Sequence, residues 1–135
     1  MILVRDHMKP AVHVFNENTS VEEIVQVLIK SKISGGPVIN DNKELLGYVT
    51  EQDCIKQMLN DSYYCEEHQI ASDIMRQNPL FVSPDEDIVK IAEMMANKKP
   101  KQYPVVEDGK VVGIITRAEV LNALNVARIK ACGHK

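Results

Sequence analysis

Thr50-Glu51-Gln52-Asp53 and Thr116-Arg117-Ala118-Glu119 each set a hydroxyl three residues ahead of a carboxylate, directly after an apolar run containing β-branched residues. Where a strand gives way to a helix, that spacing has a definite chemistry. The threonine hydroxyl and the first free amides of the helix can hold an anion such as phosphate, helped by the positive end of the helix dipole. The carboxylate one turn on can accept hydrogen bonds from two neighbouring hydroxyls, each worth roughly 1.5–3 kcal/mol. The same two side chains also cap helix starts. The pattern alone leaves a ligand site and a structural cap both open.

The elements that must position these residues occur twice. Met8-Lys9 matches Met75-Arg76, Val21 matches Ile88, and Pro37-Val38 matches Pro104-Val105, all at one offset. After Asp41 the first copy carries one additional residue, and Gly47-Tyr48-Val49-Thr50 then aligns with Gly113-Ile114-Ile115-Thr116, and Asp53 with Glu119. A one-residue slip inside a turn is what duplicated domains tolerate. Each copy predicts a short extended piece (12–15; 80–83) and then a helix with apolar residues at Val21, Ile24, Val25 and Leu28, or at Ile88, Ile91, Met94 and Met95. Ser20 with Glu23 reads as a capping box, and Asp87 as a lone cap. A strand, a turn (40–43; 107–110) and a second strand follow, with Asp108-Gly109 marking a tight hairpin. A second helix closes each copy, over about 51–59 and 117–129. The polar stretch from Asn60 to Gln69 joins them, so the expected organisation is a domain over 1–62, a linker over 63–72 and a domain over 73–135. Each β-α-β-β-α unit has a sheet face it cannot cover alone, so the α/β architecture requires two copies.

Composition narrows the function. With 135 residues, 44% hydrophobic and 26% charged, the chain belongs with soluble globular proteins. Its net charge of −3 supplies no basic field for steering polyanions, which disfavours nucleic acid as a partner. The apolar start Met1-Ile-Leu-Val is too short for a secretory segment and no run is long enough to span a bilayer, so a cytoplasmic protein without a membrane partner is expected. Three unpatterned cysteines fit a reducing compartment. Cys65-Glu-Glu-His68 and Cys132-Gly-His134 lack the repeated close pairs of a zinc site, so no metal is expected. Met58, Met75, Met94 and Met95 read as core residues at helical spacing. No nucleophile–base pair or phosphate-loop lysine is present, which argues against an enzyme.

The ordered set "SGGPVIN" with "GYVTEQD", then "KQYPVVE" with "GIITRAE", each preceded by a methionine motif (His7-Met8-Lys9; Ile74-Met75-Arg76), resembles the cystathionine-β-synthase-type (CBS) domain in two tandem copies. The resemblance spans about residues 6–124 and implies two pseudo-twofold-related units packed as a pair (a Bateman module). It also implies an adenosine-containing regulatory ligand (AMP, ADP, ATP or S-adenosylmethionine), no resident cofactor, a flat homodimer, and, with no effector domain in this sequence, output through an unidentified effector protein. On that basis Thr50 faces phosphate and Asp53 the ribose. Ser34, Gly35, Gly36 and Pro37, with Val12 and His13, receive the adenine, although His13 also reads as a plain surface strand residue. The second copy departs from the family pattern, because Glu119 stands where Asp is usual and its longer side chain puts the ribose contact in doubt. Thr116, Arg117, Lys101, Tyr103, Pro104 and Leu80 complete that altered site. Lys98 and Lys99 add charge for di- or triphosphates or form a solvated basic face.

Overall fold

The computed structural model describes residues 1–64, 69–97 and 100–132. Cys65, His68, Lys98, Lys99 and His134, named above, lie outside the described residues. The chain divides into two compact units, Val12–Pro79 and Met1–Ala11 together with Leu80–Lys135. Each unit thus takes the repeat's central strands and helices from one copy and the methionine motif from the other.

In the unit Val12–Pro79 the elements are β1 (Phe15–Asn16), α1 (Val21–Ser31), β2 (Gly35–Ile39), β3 (Leu45–Thr50), α2 (Glu51–Tyr64), α3 (Ala71–Ile74) and β4 (Arg76–Gln77). They form one sheet in the order β1-β2-β3-β4, with β1 parallel to β2 and the other pairings antiparallel. The second unit contains α4 (Ile88–Ala96), β5 (Gln102–Glu107), β6 (Lys110–Thr116) and α5 (Arg117–Cys132). Its β5-β6 hairpin is flanked by a parallel bridge from Val82 to Val105 and an antiparallel bridge from Lys9 to Ile114. These bridges are the counterparts of β1 and β4, so both units repeat one plan.

Local chemistry explains the boundaries. The Ser20 hydroxyl accepts from the Glu23 amide at 3.1 Å, and Asp87 accepts from the Val89 amide at 3.1 Å, fixing the starts of α1 and α4. Lys32 in the left-handed region, at φ 55°, ends α1. Asp108 (φ 53°) and Gly109 (φ 79°) provide the two positive dihedrals of a type I′ hairpin. In the longer first turn, the Asn40 side chain accepts from the amides of Asn42 and Glu44. Both hairpins shift register at equivalent places, after Val38 and after Val105. Before the shift, Gly36, Val38, Gly47 and Val49 share the core face of one sheet, as Tyr103, Val105, Gly113 and Ile115 do in the other.

Phe15, Ile24, Leu28, Val38, Val49, Cys54 and Ala71 form the first core; Val4, Val82, Ile88, Ile91, Tyr103, Val105, Ile115, Val120 and Ala123 form the second. Two expectations are corrected. Helix α2 runs five residues past Leu59, because nothing from Asn60 onward supplies the glycine or proline that stops a helix. Met58 is about half exposed (49%), and Met75, which packs against the first core as expected, follows α3 at the edge of the sheet instead of lying on a helix face. Among the described residues no helix is long and apolar enough to cross a membrane.

Candidate functional site

In the unit Val12–Pro79, the amide of Glu51 donates to the Ser34 carbonyl at 2.9 Å, tying the start of α2 to the start of β2. Gly35 pairs with Thr50, and Pro37 with Tyr48, so these four residues share the sheet face opposite the core. At the junction, one oxygen of Asp53, Oδ2, accepts from both the Thr50 amide and the Thr50 hydroxyl, each at 2.9 Å. The carboxylate side chain is 11% exposed. Its second oxygen, Oδ1, lies 3.5 Å from Arg76 Nε, and Arg76 Nη2 donates to Gln52 Oε1 at 3.3 Å. The guanidinium therefore lies over the first turn of α2.

The other unit repeats this arrangement with different residues. The Arg117 amide donates to the Lys101 carbonyl at 3.2 Å. Glu119 Oε1 accepts from the Thr116 amide at 2.7 Å and the Thr116 hydroxyl at 2.6 Å, while Oε2 lies 3.9 Å from Lys9 Nζ. The longer glutamate side chain reaches the same two donors as Asp53. Each junction is thus a threonine, an acid whose first oxygen caps the helix, and a cation facing the second oxygen.

The methionine motifs supply those cations, a role the sequence reading did not give them. A Cβ on Gly47 would lie 2.5 Å from Met75 Sδ and 2.7 Å from the Arg76 carbonyl. A Cβ on Gly113 would lie 2.9 Å from Met8 Sδ and 2.9 Å from the Lys9 carbonyl. Only glycine lets the methionine strand close on its neighbour, and that approach carries Arg76 and Lys9 to the acids. The recurrence of a methionine-cation pair in both copies was the available signal, but each cation meets the acid of the other copy.

The remaining candidates are distributed unevenly. Val12, His13 and Ser34 are exposed in the first unit, and Gly35, Gly36 and Pro37 are buried. The glycines are required by their own sheet: a Cβ on Gly35 would lie 2.5 Å from the Val49 carbonyl, and one on Gly36 would lie 2.6 Å from the His13 carbonyl. In the second unit Leu80, Lys101 and Arg117 are exposed, and Pro104 is buried. Tyr103, expected to line a base pocket, is a core residue with 0% exposure. Its alternation with Val105 on the inner face places it there, and its hydroxyl has no hydrogen-bond partner among the described residues. Burial raises the pKa of that phenol. Tyr48, on the face of Thr50, has an equally unpartnered buried hydroxyl.

Two α/β units, each ending its central hairpin in a Thr-x-x-acid helix cap, define a tandem α/β repeat of the type described by the CBS domain. Residues 4–60 and 71–126 each match the CBS domain model, and the chain belongs to the CBS family as a tandem pair. Among solved structures, it is similar to CBSX2 of Arabidopsis thaliana in complex with AMP, at 30% identity and TM-score 0.83, covering 95% of this chain and 99% of that one. It is similar also to the CBS pair of MJ0100 in complex with 5′-methylthioadenosine and S-adenosyl-L-methionine, at 25% identity and TM-score 0.78, covering 94% and 98%. Among sequences, MJ1225, an uncharacterized protein of Methanocaldococcus jannaschii, is 27% identical over 121 residues. That match takes in 90% of this chain and 42% of MJ1225, so the chain spans less than half of that relative.

Proposed function

We propose that the chain is a regulatory module, not a catalyst, which senses an adenosine-containing ligand of the AMP, ADP, ATP or S-adenosylmethionine class. The observation that carries this reading is the doubled junction: in both units a threonine and an acid sit at the first turn of a helix with a cation beside them. The helix start and the cation suit a phosphate, or the charged part of another adenosine ligand, and the carboxylate suits ribose hydroxyls. The complexes of CBSX2 and MJ0100 show that proteins of this fold hold such ligands. No group on the chain must supply a cofactor for this role.

The output is a shift between arrangements of different affinity for the ligand, passed to a second copy or to an effector protein in the cytoplasm. Association of copies is supported by the apolar stripe Ile55, Met58 and Leu59, exposed at helical spacing on α2. Nucleic acid and membrane are not the expected partners. The test is calorimetric titration with AMP, ADP, ATP, NAD and S-adenosylmethionine, with 2′-deoxy-AMP as the ribose control and light scattering to report assembly. Saturable binding, weakened for the deoxy form, is expected.

One observation favours a second reading, a ligand-independent scaffold. Thr50 and Thr116 already direct both their donors to the neighbouring acid, which makes each junction a self-contained helix cap. Absence of binding across the whole panel selects that reading.

A further inference from the structure

We infer that Arg76, and Lys9 in the other unit, is the charge-reading residue of its site: a cation parked on the acid's second oxygen, which leaves it for the anionic group of the incoming ligand. This rests on the sensor reading and deepens it: that reading sets a cation beside each acid, and the inference has that cation change partners when the ligand binds.

The geometry has three parts. First, Asp53 Oδ2 is committed to the Thr50 amide and hydroxyl, so Oδ1 is the oxygen left to meet ribose hydroxyls, and Arg76 Nε stands 3.5 Å from it. Second, the hold is weak on the cation's side. At 3.5 Å the contact is longer than a good charge-assisted hydrogen bond, and the Arg76 side chain is 57% exposed, so releasing it costs little. Third, its contacts with Gln52 and Asp53 place the guanidinium over the first turn of α2, where an anion at the helix start would lie. The second unit repeats the arrangement independently, with Lys9 Nζ 3.9 Å from Glu119 Oε2 and 53% exposed.

A neutral nucleoside that takes Oδ1 displaces the cation and gives it nothing in return. A phosphorylated ligand takes Oδ1 and offers the displaced guanidinium a bidentate acceptor. The latch therefore discriminates on ligand charge, and arginine does so more strongly than lysine because its planar fork matches phosphate.

The test is to titrate wild type, Arg76→Met and Arg76→Lys with AMP and with adenosine, reading both dissociation constants. Arg76→Met is expected to weaken AMP by about tenfold or more, the range of a charged hydrogen bond, and to leave adenosine unchanged or tighter. Arg76→Lys, which keeps the charge and tolerates any packing demand of the edge strand, falls between. Equal weakening of AMP and adenosine shows that Arg76 only positions Asp53 and overturns the inference, as does an unchanged AMP affinity. If wild type binds AMP and the ratio does not move, this inference alone fails; if wild type binds neither ligand, the sensor reading fails with it.

Discussion

The two units fill the same core position in opposite ways. Gly36 in one corresponds to Tyr103 in the other, and Phe15 to Val82, on the inner faces of equivalent sheets. A Cβ on Gly36 would lie 3.2 Å from the Phe15 ring, so the aromatic bulk reaches the core from β1 in one unit and from the central hairpin in the other. Phe with Gly and Val with Tyr are two solutions to one packing volume, the kind of compensated exchange that cores accept. The duplicated domain has kept its plan while the side chains that complete it moved between strands.

The largest effect is expected from removing that bulk where it is fully buried. Tyr103→Ala should cost about 3–5 kcal/mol, a large share of a small domain's stability, measured by denaturant unfolding. Tyr103→Phe should be neutral or stabilising, since it deletes a buried hydroxyl that has no partner. A loss above about 1 kcal/mol on Tyr103→Phe would mean that the hydroxyl is hydrogen-bonded and that this core differs from the one described.

A smaller effect tests the opposite solution. Gly36→Ala sets a methyl 2.6 Å from a backbone carbonyl, that of His13, which cannot rotate away as a side chain can. About 1–3 kcal/mol of destabilisation is expected by the same unfolding measurement. If Gly36→Ala is harmless, the segment ahead of β1 yields freely and the glycine is there for another reason, such as contact with a ligand.

The junctions sharpen the comparison on function. Asp53 and Glu119 accept the same pair of threonine donors, so alanine at either should cost about 1 kcal/mol of stability through the lost cap. Binding should separate them: Asp53→Ala is expected to weaken an adenosine ligand more than Glu119→Ala, measured by calorimetry. Equal losses in affinity would show that the glutamate serves a ligand as well as the aspartate does.

What the sequence disclosed follows from what repeats. The helices, the hairpins and the caps at Ser20 and Asp87 are local, and two aligned copies made each of them visible twice. The exchange of methionine motifs between the sequence copies was hidden, because antiparallel pairing of Arg76 with Tyr48, or bridging of Lys9 to Ile114, joins residues far apart in the chain. The motif itself was seen, but its cation had no assigned neighbour until Gly47 and Gly113 were found to admit the methionine strand. Tyr103 was misjudged because its place beside Pro104 in the motif suggested a site, whereas alternation along β5 decides which face it takes. At Thr50 and Asp53 a cap and a ligand site use the same two side chains, and no pattern of residue types separates them.

The smallest effect concerns Cys54, whose counterpart on α5 is Val120; both are buried in their cores. Burial, with the charges of Asp53 and Glu51 nearby, pushes the Cys54 thiol above its usual range. The folded state therefore disfavours the thiolate, while the unfolded chain ionises near the usual value of about 8.5. The neutral thiol's contribution to stability is complete below that pH and is lost as pH rises through the higher folded value. Cys54→Val imports the other unit's solution, and near neutral pH it should change stability by less than about 1 kcal/mol. Between about pH 8 and 10 the variant should lose less stability than wild type, read as the pH dependence of the unfolding midpoint. A variant that loses as much as wild type would show that the fall belongs to other groups and that the thiol is not held neutral by its core.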